Sequence, residues 1–174
     1  MRSTKKLTLS AILTALGSVV LIAGGYFGIL DLTAAAFASL LVTFAYIEIG
    51  SPYTWLIWIC TTLISAIALQ ANITWVEYLV AFGIYPIIKG AIERLGRPWW
   101  IPLKLLFANA AFVVVVLASS FLIGVPYFDS NLLWLNILTY VLTVVTFIVY
   151  DMCITACVKF YVVRLRPRFK KFLR

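Results

Sequence analysis

Residues 74–95, TWVEYLVAFGIYPIIKGAIERL, decide how this chain folds. The segment is long enough to cross a membrane, but only the 11 residues from 78 to 88 are free of charge, and Pro86 is among them. A transmembrane helix ordinarily needs about 20 consecutive apolar residues. Whether this segment spans the bilayer determines on which side of the membrane the rest of the chain lies.

The composition around this segment is that of a membrane protein. Hydrophobic residues make up 64% of the 174 residues and charged residues 11%, with a mean hydropathy of +1.09. A soluble domain is about half apolar and a quarter charged, so a water-soluble, disordered or disulfide-stapled chain is excluded. We predict one all-α integral membrane domain, residues 1–174, with six transmembrane helices in one compact bundle. The predicted spans are Leu7–Phe27, Leu32–Ile49, Tyr53–Leu69, Thr74–Leu95, Ile101–Gly124 and Asn131–Val163.

The 14 basic residues fall into three clusters, at 2–6, 89–104 and 159–174, and give a net charge of +8. If the fourth segment spans, all three clusters lie on one side of the membrane. The positive-inside rule then favours a spanning fourth helix and places both termini, with the basic tail of about residues 164–174, in the cytoplasm. Such clusters typically meet anionic lipid headgroups, so we expect lipid contact there and no nucleic-acid binding.

Enzyme chemistry finds no support in the sequence. The chain has no histidine, so no Ser–His or Cys–His nucleophile can form. It carries no phosphate-binding loop and therefore cannot use ATP by itself. Cys60, Cys153 and Cys157 are odd in number and lie inside apolar runs, which predicts neither a disulfide nor a zinc site. We expect no enzymatic activity, no cofactor and no metal.

Polar and aromatic residues gather at the predicted outer ends of the helices. Carboxylates and amides mixed with aromatic rings suit a small, partly aromatic, hydrogen-bonding solute. They equally suit an ordinary membrane interface, and both interpretations stay open. The candidate solute-binding residues are Asp31, Asn72, Trp75, Glu77, Tyr78, Tyr127, Asp129, Asn131, Trp134 and Asn136.

A second polar set lies deeper in the predicted bundle. Asp151 is far inside the last span, where a carboxylate is costly unless it is paired. Lys89, Arg94 or Lys104 can approach it from the cytoplasmic side. Such a pair either fixes the register of the helices or takes part in coupling or gating. The buried polar candidates are Lys89, Glu93, Lys104, Asn109 and Asp151.

The first predicted helix contains two small residues four positions apart, Ala11 and Ala15. They make a flat strip on which another helix can pack closely, either within the bundle or from a partner protein. The surrounding stretch, residues 4–15 (TKKLTLSAILTA), resembles the opening of the substrate-binding S components of energy-coupling factor (ECF) transporters.

This resemblance implies a six-helix protein of the bacterial plasma membrane with both termini inside. It implies that the chain captures a vitamin-like micronutrient from outside. Ala11 and Ala15 would then dock on a transmembrane coupling subunit that carries two ATPases, and residues 28–33 would act as a lid over the solute.

Two other classes of function remain. The chain could be a scaffold of the cell envelope, similar to the small rod-shape membrane subunit, which shares its size and basic tail. It could also bind lipid at the inner leaflet, with Lys89, Arg94 and Lys104 on a lipid phosphate and with Glu93 and Asp151 orienting them.

Overall fold

The computed structural model describes residues 3–28, 30–70, 72–124 and 133–167, and all regular structure in these ranges is helical. The elements are α1 (Ser3–Phe27), α2 (Asp31–Glu48), α3 (Tyr53–Ala68), α4 (Thr74–Glu77), α5 (Tyr85–Ile92), α6 (Trp100–Ala118) and α7 (Leu133–Phe160). A π-helical turn at Tyr78–Phe82 joins α4 to α5, and we refer to Thr74–Ile92 as the composite helix. Further π turns at Ser119–Ile123 and Tyr161–Leu165 extend α6 and α7.

Within the described ranges, five helices are long and apolar enough to cross a membrane. These are α1, α2, the composite helix, α6 with its π turn, and α7 with its π turn. The third predicted span, Tyr53–Leu69, is present as α3, but its 16 residues fall below the length of an ordinary span. The chain is therefore a helical protein with the helices of a membrane protein.

Two predicted helix boundaries differ from the structure by three or four residues. The first helix begins at Ser3 rather than Leu7, because the polar residues before Leu7 continue the helix. The fourth ends at Ile92 rather than Leu95. There the backbone tightens into turns, with the Leu95 amide donating to the Ile92 carbonyl at 3.0 Å. The Gly-Arg-Pro sequence that follows does not favour continuation of the helix.

Small residues allow α1 to pack closely on α2 and α3. Gly24 lies directly against the Ala34 side chain, and Gly17 lies against Thr61. A side-chain carbon added at Gly25 would lie 2.6 Å from Leu69 Cδ1. Because lipid supplies no hydrophobic drive between helices, close contacts of this kind hold a membrane bundle together. The other small residues on the same contact, Ala35 and Ala38 of α2, are fully buried.

Pro86 explains why the composite helix is broken. A proline has no amide hydrogen, so the carbonyl four residues earlier, that of Phe82, loses its helical donor. The Tyr150 hydroxyl of α7 donates to this Phe82 oxygen at 3.0 Å and hydrogen-bonds with Ser39 of α2 at 2.6 Å. Just before the break, the Trp58 indole of α3 donates to the Leu79 carbonyl at 3.2 Å. Two neighbouring helices, α7 and α3, thus form hydrogen bonds with the irregular backbone, and α2 contacts the Tyr150 hydroxyl.

Contacts between the helices gather the basic residues at one end of the bundle, which we call the basic end. Lys6 Nζ lies 3.4 Å from the Ile49 carbonyl oxygen, Arg94 lies 3.4 Å from the Tyr46 hydroxyl, and Arg166 pairs with Glu48 at 3.1 Å. At the opposite end, which we call the Glu77 end, the Asn72 side chain donates to the Gly25 carbonyl at 2.9 Å.

We expect Gly24→Val to destabilise the bundle, because its added carbons overlap Ala34. Overpacking of this kind typically costs about 1–3 kcal/mol. Ala23→Val is the matched control, since Ala23 is the neighbouring residue and is exposed. Thermal unfolding in detergent, followed by tryptophan fluorescence, should show a clearly lower Tm for Gly24→Val alone. Equal Tm values for the two variants would mean that α1 and α2 do not pack through Gly24.

Candidate functional site

Asp151 of α7 lies at the centre of a polar network that joins three helices. Its Oδ1 accepts hydrogen bonds from the Tyr85 hydroxyl at 2.6 Å and from Lys89 Nζ, both on α5. Lys89 also donates to the Asp151 backbone oxygen at 2.9 Å and to the Thr155 hydroxyl at 2.6 Å. The Lys89 side chain is only 6% exposed, so its charge depends on these partners.

A second lysine completes the network from α6. Lys104 Nζ lies 2.9 Å from Asp151 Oδ2 and 3.4 Å from Glu93 Oε1. Glu93 is also 3.8 Å from Lys89. Two ammonium groups thus face two carboxylates, and the network is electrically balanced. Such balance matters because a buried charge left without a partner costs several kcal/mol.

The structure brings together four of the five residues that the sequence singled out as buried polar candidates: Lys89, Glu93, Lys104 and Asp151. The fifth, Asn109, lies elsewhere, and Arg94 contacts Tyr46 instead of Asp151. Sequence reasoning missed Tyr85 and Thr155. The position of Thr155 could have been recognised from the sequence, because a residue four positions after Asp151 lies on the same face of the helix.

A layer of aromatic rings borders this network on the side of the Glu77 end. Tyr85 lies 4.8 Å from Phe147 and 5.4 Å from Phe107, measured between ring centroids. Phe82 lies edge-on to Tyr150 at 4.7 Å. Edge-to-face contacts at these distances stabilise aromatic pairs. The layer contains rings from the composite helix, α6 and α7.

A cavity of about 260 Å³ lies on the other side of the aromatic layer. Small-molecule sites commonly measure about 300–1,000 Å³, so this cavity suits a small solute. Its walls come from the composite helix, α6 and α7, with Leu32 at the start of α2. The other lining residues are Glu77, Ala81, Phe82, Ala108, Asn109, Ala111, Phe112, Val115, Thr139, Tyr140, Leu142, Thr143, Val144, Thr146 and Phe147.

A few polar groups interrupt the apolar lining of the cavity. Asn109 Oδ1 accepts a hydrogen bond from the Tyr140 hydroxyl at 2.6 Å, which joins α6 to α7. Glu77 is different, because its Oε2 is buried and none of the described residues forms a hydrogen bond with it. Asp31, whose Oδ1 is also buried and unpartnered, interacts electrostatically with Glu77.

Most of the other predicted solute-binding residues do not line this cavity. Asn72 is held by Gly25 and by the Thr74 amide, at 2.9 and 3.1 Å. Tyr78 is fully buried in the core, and Trp134 is 64% exposed. Trp75 and Asn136 are partly buried and are not among the residues that line the cavity. Tyr127, Asp129 and Asn131 lie outside the described residues.

Ala11 and Ala15 are exposed, and they do not pack within the described part of the bundle. The apolar residues Ile12 and Leu16 beside them are exposed as well. This face of α1 is therefore open to lipid or to another helix. The intramolecular packing that was one interpretation of the alanine strip is not what the described residues form.

We expect Asp151→Leu to destabilise the protein strongly, because it leaves Lys89 and Lys104 with only the partly exposed Glu93 as a counter-charge. Loss of one partner from a buried pair typically costs about 3–5 kcal/mol. Arg166→Met serves as the control, since it breaks the Glu48 pair, whose arginine side chain is 38% exposed. The Glu48 side chain is 13% exposed, so this pair is half-buried; we expect its loss to cost about 1 kcal/mol, less than the loss of Asp151. Chemical unfolding in detergent micelles should show a larger loss of unfolding free energy for Asp151→Leu than for Arg166→Met. Equal losses of unfolding free energy in the two variants would contradict the central role of Asp151.

Compared with known proteins, this chain matches no family model. It also matches no curated protein and no solved structure. The geometry of the site therefore carries the functional argument.

Proposed function

We propose that this chain is a solute-binding membrane protein without catalysis of its own. The observation that carries the proposal is the cavity between the composite helix, α6 and α7. Mostly apolar walls with a few polar groups are typical of small-molecule sites. The polar groups here are the unpartnered Glu77 and the Asn109–Tyr140 pair, which can orient a ligand.

In this proposal the chain crosses the membrane six times: the five long helices span it, α3 is an additional, shorter span, and both termini lie in the cytoplasm of a bacterium. The 16 residues of α3 measure about 24 Å, which a locally thinner bilayer accommodates. The concentration of basic residues at one end of the bundle supports a cytoplasmic basic end in contact with anionic lipids. The cavity then lies towards the outer half of the membrane.

Transport requires an energy source, and the sequence contains no nucleotide-binding motif. We propose that an ATP-driven module supplies it, as the resemblance to ECF-type S components suggests, through a coupling subunit that docks on α1. The exposure of Ala11 and Ala15 supports this docking face, because small exposed residues let a partner helix approach closely.

Filling the cavity should prevent solute binding. Ala111 lines the cavity and is buried, whereas its neighbour Ala110 is exposed. We expect the wild type and Ala110→Phe to retain a co-purified small molecule in native mass spectrometry, and Ala111→Phe to lose it while keeping its helical content. Absence of any small molecule from the wild type, with cell-wall proteins bound instead, would favour the scaffold function.

Docking is tested separately on α1. The double variant Ala11→Leu/Ala15→Leu enlarges the exposed strip, and Ala23→Leu adds the same side chain at an exposed position near the other end of α1. Affinity purification from the native membrane should recover ATPase subunits with the wild type and with Ala23→Leu but not with the double variant. The double variant should still carry the small molecule. Full recovery of the ATPases with it would contradict docking through this strip.

A further inference from the structure

The chemistry of the cavity indicates which solute it accepts. Glu77 lines the cavity, and its Oε2 is buried without a hydrogen-bond partner among the residues that the structure describes. Buried polar groups in native proteins are nearly always hydrogen-bonded, and each exception needs a reason. A carboxylate accepts hydrogen bonds and attracts positive charge, so the group that fits here is a donor, preferably a cationic one.

The distribution of charge around the cavity strengthens this argument. Asp31 is a second acidic group at the same end, and its negative charge repels that of Glu77. Lys89 and Lys104 are already engaged with Asp151 beyond the aromatic layer. The described residues that line the cavity include no lysine or arginine. Thus no cation in the cavity wall balances Glu77, whereas the network around Asp151 is balanced internally.

The residues that line the cavity also favour an organic cation over a metal ion. The described residues contain no group of three or more His, Cys, Asp or Glu side chains that could hold a metal. Most of the remaining lining is apolar or aromatic, with Phe112 and Tyr140 in edge-to-face contact at 5.6 Å. Aromatic rings attract organic ammonium groups through their negative faces and pack against an apolar body.

We propose that the cavity selects a small monocation with an apolar or aromatic body, bound by its ammonium group to Glu77. This rests on the proposed solute-binding function and adds the chemical class of the solute. In the complex, the Glu77 carboxylate accepts a charge-assisted hydrogen bond from the ligand. The ring or chain of the ligand lies against the apolar walls of α6 and α7.

Three probes of the same shape and different charge test the proposal: benzylamine, benzyl alcohol and benzoate. Each is titrated against the protein in nanodiscs of zwitterionic lipid, and its Kd is measured by saturation-transfer NMR. We expect benzylamine to bind about tenfold or more tightly than benzyl alcohol, and benzoate not to bind, because hydrogen bonds to a charged group are the strong ones. Equal affinities of amine and alcohol, or no binding of the amine, would overturn the proposal.

Variants of Glu77 test whether this residue causes the preference for benzylamine over benzyl alcohol. Glu77→Gln should raise the Kd of benzylamine about tenfold and leave the Kd of benzyl alcohol almost unchanged. Glu77→Asp, which keeps the charge, should retain the preference for the amine. Glu48→Gln makes the same chemical change at the basic end, beside Arg166, and should not affect binding. A preference for the amine that survives Glu77→Gln would refute the assignment.

Failure of the charge selectivity can be distinguished from failure of the solute site. Binding of benzyl alcohol that is lost in Ala111→Phe, without preference for the amine, would preserve the solute site and overturn its charge selectivity. Binding of benzylamine that Ala111→Phe leaves intact would place the ligand outside the cavity, and both proposals would then be wrong.

Discussion

The attachment of α7 depends on one carboxylate. Among the residues of α7, only Tyr150 and Ile154 are buried, so apolar packing alone holds this helix weakly. Asp151 and Thr155 add hydrogen bonds to Lys89, and Asp151 also pairs with Lys104. In lipid an unpaired charge is costly, so the network favours one register of α7 against α5 and α6. Because α7 supplies one wall of the cavity, Asp151 also determines the shape of the site.

The break in the composite helix places two different environments within one bundle. Before Pro86, Glu77 and Phe82 line a cavity with mostly apolar walls. After it, Lys89 takes part in a charged network with Asp151. The aromatic layer lies between them, and Tyr150 belongs to both parts, since it caps the Phe82 carbonyl and precedes Asp151 in the chain. A continuous α-helix would leave no free carbonyl for Tyr150 to cap.

The positions of the helices could be predicted from hydropathy and turn residues, because each apolar run is long and each break carries glycine, proline or asparagine. The partners of Asp151 could also be predicted in part, since a deep carboxylate needs a cation and few were within reach. The cavity could not be predicted. It depends on how α6 packs on α7, and therefore on contacts such as Asn109–Tyr140 between residues far apart in sequence. Tyr78 shows the same limit, because a residue placed at the surface by its neighbours is fully buried.

The most direct test of this account is the position of α7 with and without the Asp151 network. Spin labels at Leu63 of α3 and Val149 of α7, both exposed, can report the distance between these helices in a background without the three exposed cysteines. Double electron–electron resonance should give one narrow distance distribution for the parent protein in nanodiscs, and a broad or shifted one after Asp151→Leu. An unchanged narrow distribution would show that α7 holds its place without Asp151 and would contradict the account.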